Sequence, residues 1–221
     1  FTIQMERTVP QEEVIKKVRE LNRREDVHGI LVQLPLPPHV GKHDVLAAMD
    51  PAKDVDGFTP ANLGRLLLGR SPFVPCTPAG ILRLLDDAGI DVTRKDAVVI
   101  GRSDIVGKPL AILLTHRNAT VTLCHTKTGD LAGKTRQAEI LVSAAGKAHL
   151  IRGEMVREGA VVVDVGISRI EGKLVGDVLF EEVLPRASWI TPVPGGVGPM
   201  TVAMLMENTV KAARMKAGLF P

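Results

Sequence analysis

The sequence predicts an α/β protein of two lobes, and three of its features indicate this fold class. After residue 90, short runs rich in Val, Ile and Leu alternate with helical segments, which is typical of a parallel sheet covered by helices on both faces. Before residue 90, an amphipathic helical pattern is followed by one short apolar run that ends at a proline. The length of 221 residues, with 45% hydrophobic and 24% charged residues, suits one large domain or two small ones.

The first lobe shows few regular elements in its sequence pattern. Residues 11–24 are predicted to form a helix, because their apolar side chains recur at helical spacing. Residues 29–35 are predicted to form a buried strand of a parallel sheet, and residues 43–49 a short helix. The stretch 50–64 is rich in Asp, Pro and Gly and is predicted to be a loop.

The second lobe is predicted to begin in a helix at 78–89, where Thr77 is the N-cap and Pro78 the first helical residue. Repeated strand–helix units follow, with strands at 97–100, 120–123, 140–144 and 160–164, a helix at 107–117, a small β-ribbon at 173–178 and a closing helix at 199–216. Sheets of this kind bind ligands beyond the carboxyl ends of their strands, so we expect the functional residues there.

Composition excludes several classes of protein. Two cysteines without a CxxC spacing argue against a disulfide framework, and six scattered histidines form no metal-ligand cluster, so no metal is expected. A net charge of +3 without a dense basic run favours an ordinary solvated surface over nucleic-acid binding. The absence of a long apolar run or a signal peptide predicts no membrane association and a cytoplasmic enzyme.

The first chemical motif runs from Val99 to Pro109 and lies between a predicted strand and a helix. Its glycines allow either a plain tight turn or the close approach of a dinucleotide phosphate to backbone N–H groups at a helix N-terminus. Ser103 stands where the GxGxxG fingerprint has its second glycine, while Arg102 can pair with a phosphate. The second strand ends in Cys124-His125-Thr126-Lys127-Thr128 rather than in an acidic residue, which favours NADP over NAD.

The second motif is Thr191-Pro192-Val193-Pro194-Gly195-Gly196-Val197-Gly198-Pro199-Met200-Thr201. A stiff loop with Pro199 at a helix start is one interpretation. So many prolines and glycines in one loop favour a wall that lines a ligand site.

Three shorter patterns leave two interpretations each. Asp54-Val55-Asp56-Gly57-Phe58 is either a solvated acidic turn or a loop whose carboxylate faces the N–H groups of a heterocycle; its two acids could also hold a cation, but no third ligand is evident, which disfavours a metal site. Gln33, in an otherwise apolar strand end, is either a buried structural amide or a functional residue. Asp164-Val165-Gly166-Ile167 is either a strand-end turn or a place where a flat ring meets the backbone.

Together these motifs resemble the signature runs of the bifunctional methylenetetrahydrofolate dehydrogenase/methenyltetrahydrofolate cyclohydrolase family. The runs appear in that family's order and include Gly29 to Pro37, Lys53 to Phe58, Pro75 to Pro78, Gly101 to Gly107, Asp164 to Ile167 and Pro192 to Thr201. The resemblance extends from about residue 3 to residue 215.

The resemblance implies a catalytic folate lobe at 1–80, a Rossmann-like NADP-binding lobe at 81–198, a C-terminal helix at 199–221 that returns to the first lobe, and a cleft between the lobes. It implies oxidation of 5,10-methylenetetrahydrofolate by NADP+ and hydrolysis of the methenyl product to 10-formyltetrahydrofolate. Tetrahydrofolate derivatives are the implied ligands, a homodimer formed through the cofactor lobe the implied assembly, and one-carbon metabolism with purine biosynthesis the implied context.

Residue roles follow from the same resemblance. Asp56 is similar to the carboxylate that grips the pterin, and Gln33 to the glutamine that hydrogen-bonds the catalytic lysine, with Leu34 and Pro35 beside it. The cofactor-binding residues are expected to be Gly101, Arg102, Ser103, Thr126 and Ile167, and the folate wall Pro194, Gly195, Gly198, Pro199 and Thr201.

One departure from the family pattern concerns its Tyr-x-x-x-Lys motif. The chain contains no Tyr and starts with Phe1, so the motif is expected to lie upstream in a missing segment rather than to be lost in nature. The 221-residue chain alone is then predicted to lack methenyl hydrolysis. Two alternatives are a shikimate-type dehydrogenase, whose Lys/Asp pair cannot be placed here, and a non-catalytic module that binds NADP or folate.

Overall fold

In a computed structural model, residues 1–219 are described, and they divide into two compact units. Unit 1 comprises Phe1–Val74 together with the chain from Leu205 on, and unit 2 comprises Pro75–Met204. The sequence placed its own divisions at 80/81 and 198/199, and residues 220 and 221 of the predicted C-terminal segment lie outside the described residues.

Unit 1 is built from helices and long loops. Its elements are α1 (Gln11–Arg23), α2 (Lys42–Ala47), α3 (Pro60–Leu67) and the C-terminal part of α8 (Val197–Lys216). The apolar face of α1 packs with α2 and the segment between them in one core cluster, which includes Val18, Val27, Ile30, Val45 and Met49. A second cluster joins Val55, Phe73 and Ala212, so α8 contributes to the core of this unit.

The predictions for unit 1 are partly wrong. Residues 29–35 do not form a strand: within the described chain only Ile30 pairs, through a single parallel bridge to Asp54. Pro35 and Pro37 have no N–H to donate to a ladder, which explains why the apolar run does not extend the pairing. The predicted loop 50–64 ends earlier, because Thr59 caps α3 by accepting a hydrogen bond from the backbone N–H of Asn62.

Unit 2 contains the predicted parallel sheet. Its strands are β1 (Asp96–Ile100), β2 (Thr120–Cys124), β3 (Ile140–Ser143), β4 (Val161–Asp164) and β7 (Trp189–Ile190), and a separate hairpin consists of β5 (Ser168–Ile170) and β6 (Lys173–Val175). The strand order β2-β1-β3-β4-β7 is parallel throughout, which makes the unit Rossmann-like and confirms the predicted α/β class.

Helices and one 3-10 turn cover this sheet. They are α4 (Cys76–Asp87), α5 (Gly107–His116), α6 (Leu131–Thr135), the 3-10 turn Gly153–Met155, α7 (Phe180–Val183) and the start of α8. Two clusters of buried Val, Ile, Leu and Ala side chains line opposite faces of the sheet. Because aliphatic side chains cover both faces of the sheet, its central strands β1, β3 and β4 are almost entirely apolar.

Two predicted helix starts need correction. α4 begins at Cys76, so Thr77 lies inside its first turn, and its hydroxyl lies 3.0 Å from that of Thr201 instead of capping the helix. α8 begins at Val197, which makes Pro199 its third residue rather than its first. The predicted ribbon at 173–178 is also displaced, since its first strand is Ser168–Ile170.

Candidate active site

The carboxyl ends of β1 and β2 bring the predicted cofactor residues to one edge of the sheet. Ile100 and Cys124 are paired in register, and the N–H of Gly101 donates to the carbonyl oxygen of Cys124 at 2.9 Å. Arg102 and Thr126, which follow directly on the two strands, are both exposed. The structure therefore places the guanidinium and hydroxyl groups on the ends of neighbouring strands, beside the point where the strand order reverses.

Glycine is required at two positions of this turn. Gly101 has a φ of +110°, and a Cβ there would lie 2.2 Å from the carbonyl oxygen of Ala144. A Cβ on Gly107 would lie 1.9 Å from the carbonyl oxygen of Gly101. The turn is thus closely packed between β1 and α5, and no larger side chain fits at either place.

Ser103 has a defined structural task in the same turn. Its Oγ accepts hydrogen bonds from the backbone N–H groups of Val106 and Gly107, at 3.2 and 3.3 Å. These are donors at the N-terminus of α5, so the hydroxyl satisfies groups that the helix itself leaves without partners. The serine that replaces the second fingerprint glycine therefore stabilises the turn.

A pocket of about 190 Å³ lies beyond the end of β4 in unit 2. Five of the predicted site residues line it: Ile167, Pro194, Gly195, Gly198 and Pro199. Ile167 is 61% exposed, which is unusual for an isoleucine and leaves its side chain available to a ligand. Thr201 is not among the lining residues, and its hydroxyl contacts Thr77.

The two acidic residues of the loop 54–59 in unit 1 lie in different surroundings. Asp54 is fully buried and accepts hydrogen bonds from the N–H groups of Phe58 and Thr59 and from the side-chain amide of Asn62, at 2.7–3.1 Å. Asp56 is half-buried at the turn between these anchors, next to Gly57 with its φ of +71°. The sequence pattern identified the acidic pair but not Asp54 as the residue that shapes the loop.

Neighbouring groups fix the start of this loop. The Lys53 ammonium is buried and donates to the carbonyl oxygens of Leu21, Asn22 and Arg24, at 2.7–3.0 Å. It thereby caps the C-terminus of α1, where cations are favoured. The side-chain amide of Asn208 in α8 donates to the carbonyl oxygen of Val55 at 2.8 Å.

The expectation that the Gln33 amide is buried is wrong. Its side chain is exposed, and its Nε2 donates to the carbonyl oxygen of Leu34 at 3.1 Å. It lines a pocket of about 290 Å³ in unit 1, together with Val32, Leu36 and Val40. Pro35 is also exposed, and Leu34 is half-buried.

Two buried carboxylates behind the unit 2 pocket were not singled out from the sequence as a pair. Asp164 ends β4, and Asp177 follows the β5–β6 hairpin; both are almost completely buried. Burial raises the pKa of Asp164 to about 6, against backbone hydrogen bonds from Val178, Asp177 and Gly166 that lower it. Only their positions after a strand and before a turn could have indicated them, and many solvated acids share those positions.

Two structural absences hold for the part of the chain that the structure describes. Residues 1–219 contain no group of three His, Cys, Asp or Glu side chains arranged to hold a metal ion. In the same residues, no helix combines the length and apolar character needed to cross a membrane.

Sequence comparison identifies the relatives of this chain. The family description "Tetrahydrofolate dehydrogenase/cyclohydrolase, NAD(P)-binding domain" matches residues 75–217, and the catalytic domain of the same family matches residues 1–56. A bifunctional protein FolD from Moorella thermoacetica is 59% identical over 205 residues, which cover 92% of this chain and 73% of that protein. The chain belongs to the tetrahydrofolate dehydrogenase/cyclohydrolase family.

Solved structures of the tetrahydrofolate dehydrogenase/cyclohydrolase family share this fold. The bifunctional FolD enzyme of Campylobacter jejuni has a TM-score of 0.93 and 55% identity, covering 95% of this chain and 75% of that one. The Trypanosoma brucei enzyme, solved with NADP cofactor and inhibitor, has a TM-score of 0.93 and 43% identity, covering 98% and 77%. The family resemblance inferred from the motifs is confirmed, and the shikimate-type alternative is set aside.

Proposed function

We propose that the protein is an NADP-dependent methylenetetrahydrofolate dehydrogenase and methenyltetrahydrofolate cyclohydrolase. It oxidises 5,10-methylenetetrahydrofolate to the 5,10-methenyl cation, which water then converts to 10-formyltetrahydrofolate. The main support is that both domains of the family match this chain and that relatives named bifunctional FolD are 51–59% identical to it. NADP serves as hydride acceptor when bound, and the chain orients the two reactants.

The edge formed by β1 and β2 fits the adenosine and phosphate part of NADP. Gly101 and Gly107 allow the tight turn between β1 and α5 that carries Arg102, because a Cβ at these positions would lie 2.2 and 1.9 Å from backbone carbonyl oxygens. Arg102 and Thr126 supply a guanidinium and a hydroxyl on adjacent strand ends, which suits a 2′-phosphate. Ser103 maintains the turn that presents Arg102.

The pocket beyond β4 is proposed to receive the nicotinamide and one face of the folate. Ile167 covers the nicotinamide ring, while Pro194, Gly195, Gly198 and Pro199 provide a stiff apolar surface for the substrate. Thr201 lies two residues after Pro199 in α8 and is proposed to contact the folate. An apolar wall excludes water near the carbon that loses the hydride, which protects the methenyl cation until water is admitted.

Asp56 is proposed to bind the pteridine ring. A carboxylate accepts two hydrogen bonds from adjacent N–H donors, and the anchors at Asp54 hold the Asp56 turn in place. Gln33, with Leu34 and Pro35, is proposed to lie beside the reacting carbon. It is proposed to orient the catalytic lysine of the family, which moves protons during hydrolysis.

Replacement of Asp56 by asparagine tests this assignment. We expect the KM for methylenetetrahydrofolate to rise by about tenfold or more, because an amide cannot accept both hydrogen bonds and carries no charge. The affinity for NADP+ is expected to stay the same. The control is Asp50→Asn in the turn that precedes this loop, whose carboxylate accepts one N–H bond, from Ala52, that an amide oxygen can also accept. An unchanged KM in Asp56→Asn would refute the pteridine role.

The setting of the enzyme is also a proposal. We propose a cytoplasmic homodimer that supplies one-carbon units for purine biosynthesis. A sedimentation-velocity measurement of the purified protein tests the dimer, and a species with the mass of one chain at micromolar concentration would count against it.

A further inference from the structure

The β5–β6 hairpin leaves the sheet between two buried carboxylates. Asp164 precedes it at the end of β4, and Asp177 follows it. Ile167 and Leu174, on the two arms of the hairpin close to its base, both line the pocket of about 190 Å³. The shape of this side of the pocket therefore depends on how the base of the hairpin is fixed.

Asp164 ties the two arms of the hairpin together. Its Oδ1 accepts the N–H of Gly166 at 3.1 Å on the outgoing arm and the N–H of Asp177 at 2.9 Å on the returning arm. Its Oδ2 accepts the N–H of Val178 at 2.9 Å. One carboxylate thus joins both ends of the segment that carries Ile167 and Leu174.

Asp177 ties the same base to the end of the neighbouring strand β3. One oxygen accepts the hydroxyl of Ser143 and the N–H groups of Ala145 and Gly146 at 2.7–3.1 Å, and the other accepts the N–H of Lys147 at 2.8 Å. Three successive backbone N–H groups and a hydroxyl converge on this carboxylate, so it fixes the loop after β3 as well as the hairpin.

Two glycines make room for these carboxylates. A Cβ on Gly166 would lie 2.0 Å from an oxygen of Asp177, and a Cβ on Gly176 would lie 1.8 Å from an oxygen of Asp164. Neither glycine has a positive φ, so alanine is excluded at both places by contact rather than by backbone conformation. The carboxylates and the glycines form one close-packed clamp at the hairpin base.

We infer that Asp164 and Asp177 are positioning residues, which hold Ile167 and Leu174 where they contact the nicotinamide end of the cofactor. The inference rests on the proposed function and adds residues to it that do not touch the cofactor themselves. Two acids buried side by side are costly, and the raised pKa of Asp164 reflects that cost. A cost of this kind at a ligand pocket is typical of residues retained for geometry.

Binding of two ligands to the purified protein separates positioning from general support. NADP+ uses both ends of the proposed site, whereas adenosine 2′,5′-bisphosphate uses only the end near Arg102 and Thr126. Isothermal titration calorimetry gives a dissociation constant for each ligand. Asp177→Asn keeps the shape of the side chain but turns an N–H₂ group toward one of the converging donors, and Gly176→Ala pushes a methyl group into Asp164.

We expect both variants to weaken NADP+ binding by about tenfold and to change binding of the bisphosphate less than about twofold. Gly172→Ala is the matched control, because it adds the same methyl group at the tip of the same hairpin, where nothing lies within 4 Å. Its φ of +81° adds strain at the tip, yet both affinities should stay within about twofold of the wild type.

Several outcomes would overturn the inference. Equal losses for the two ligands would mean that the clamp supports the whole unit, and unchanged NADP+ binding would mean that it positions nothing. If the clamp variants do not fold, Leu174→Ala decides, since this side chain is 38% exposed: undiminished NADP+ binding would refute the inference. If the wild-type protein bound the bisphosphate as tightly as NADP+, the inference would be refuted but the proposed function would not. If it bound neither ligand, the proposed cofactor would be refuted as well.

Discussion

Replacement of Asp54 by asparagine should lower the free energy of unfolding, although Asp54 is not proposed to contact any ligand. The carboxylate is fully buried, and its Oδ2 accepts two hydrogen bonds, from the N–H of Thr59 and the amide of Asn62, while its Oδ1 accepts one from the N–H of Phe58. The asparagine oxygen can serve the first two donors. Its N–H₂ group then faces the N–H of Phe58, so one bond is lost and two donors meet.

The size of the effect follows from these contacts. A hydrogen bond to a charged group contributes about 1.5–3 kcal/mol, and a buried donor left without an acceptor costs about 1–3 kcal/mol. We therefore expect the free energy of unfolding to fall by about 3 kcal/mol, measured by urea denaturation followed by circular dichroism. The KM for methylenetetrahydrofolate should rise as well, because the turn that carries Asp56 is no longer held.

The control for this experiment is Asp50→Asn, a change of the same chemistry at a less buried position of the same segment. Its single hydrogen bond from the N–H of Ala52 can be kept by the amide oxygen, so a change below about 0.5 kcal/mol is expected. If Asp54→Asn lowered the free energy of unfolding by no more than the control does, the conclusion that the hydrogen bonds of Asp54 hold the loop 54–59 would be wrong.

Three further predictions follow from single contacts. Arg102→Ala should weaken NADP+ binding by about tenfold or more and NAD+ binding by less than about twofold; equal losses in calorimetry would count against a 2′-phosphate contact. Lys53→Met removes the ammonium that caps α1 and should lower the free energy of unfolding by about 2 kcal/mol, and a thermal melt within a degree of wild type would contradict this. Asp164 holds a proton in the folded protein up to about pH 6, while the unfolded chain releases it near 3.8, so its contribution to the free energy of unfolding falls across that window by up to about 3 kcal/mol as pH rises. Asp164→Asn should lack this decline, and parallel stability profiles for wild type and variant between pH 4 and pH 7 would exclude the titration.

The elements of unit 2 could be predicted because each buried strand is an unbroken apolar run. β1, β3 and β4 have no polar residue between their ends, and short runs of Val, Ile and Leu of this kind favour a central parallel strand. The short α6 and α7 and the two-residue β7 were missed, because segments of two to five residues carry too little periodicity to be distinguished from loops.

Unit 1 shows where local patterns fail. The run at 29–35 has the composition of a buried strand, yet strand formation depends on a neighbour, and within the described residues only Ile30 finds one. The start of α3 was hidden by prolines and aspartates typical of a loop, although Thr59-Pro60 is itself a helix-start signal. The sequence contained that signal, and the loop-like surroundings outweighed it.

The sequence indicated the motifs of the candidate site but not the role of each residue in them. Ser103, Asp54 and Asp177 each accept backbone hydrogen bonds that close a turn, and nothing in the sequence distinguishes such an acceptor from a ligand-binding side chain. The donors they serve are paired only after the chain has folded. Burial of Asp54 and exposure of Gln33 likewise depend on tertiary packing, which explains why the sequence left the surroundings of Asp54 open and wrongly placed the Gln33 amide in the interior.

The division of α8 between the two units has a consequence for how the protein is made. One of the two core clusters of unit 1 combines Val55 and Phe73 with Ala212 of α8, so this part of its interior stays open to water until α8 has left the ribosome. Unit 2 needs no residue beyond Met204 and can consolidate first. A chain truncated after residue 204 and released from the ribosome should therefore contain a protease-resistant Rossmann-like unit joined to a more protease-sensitive helical one.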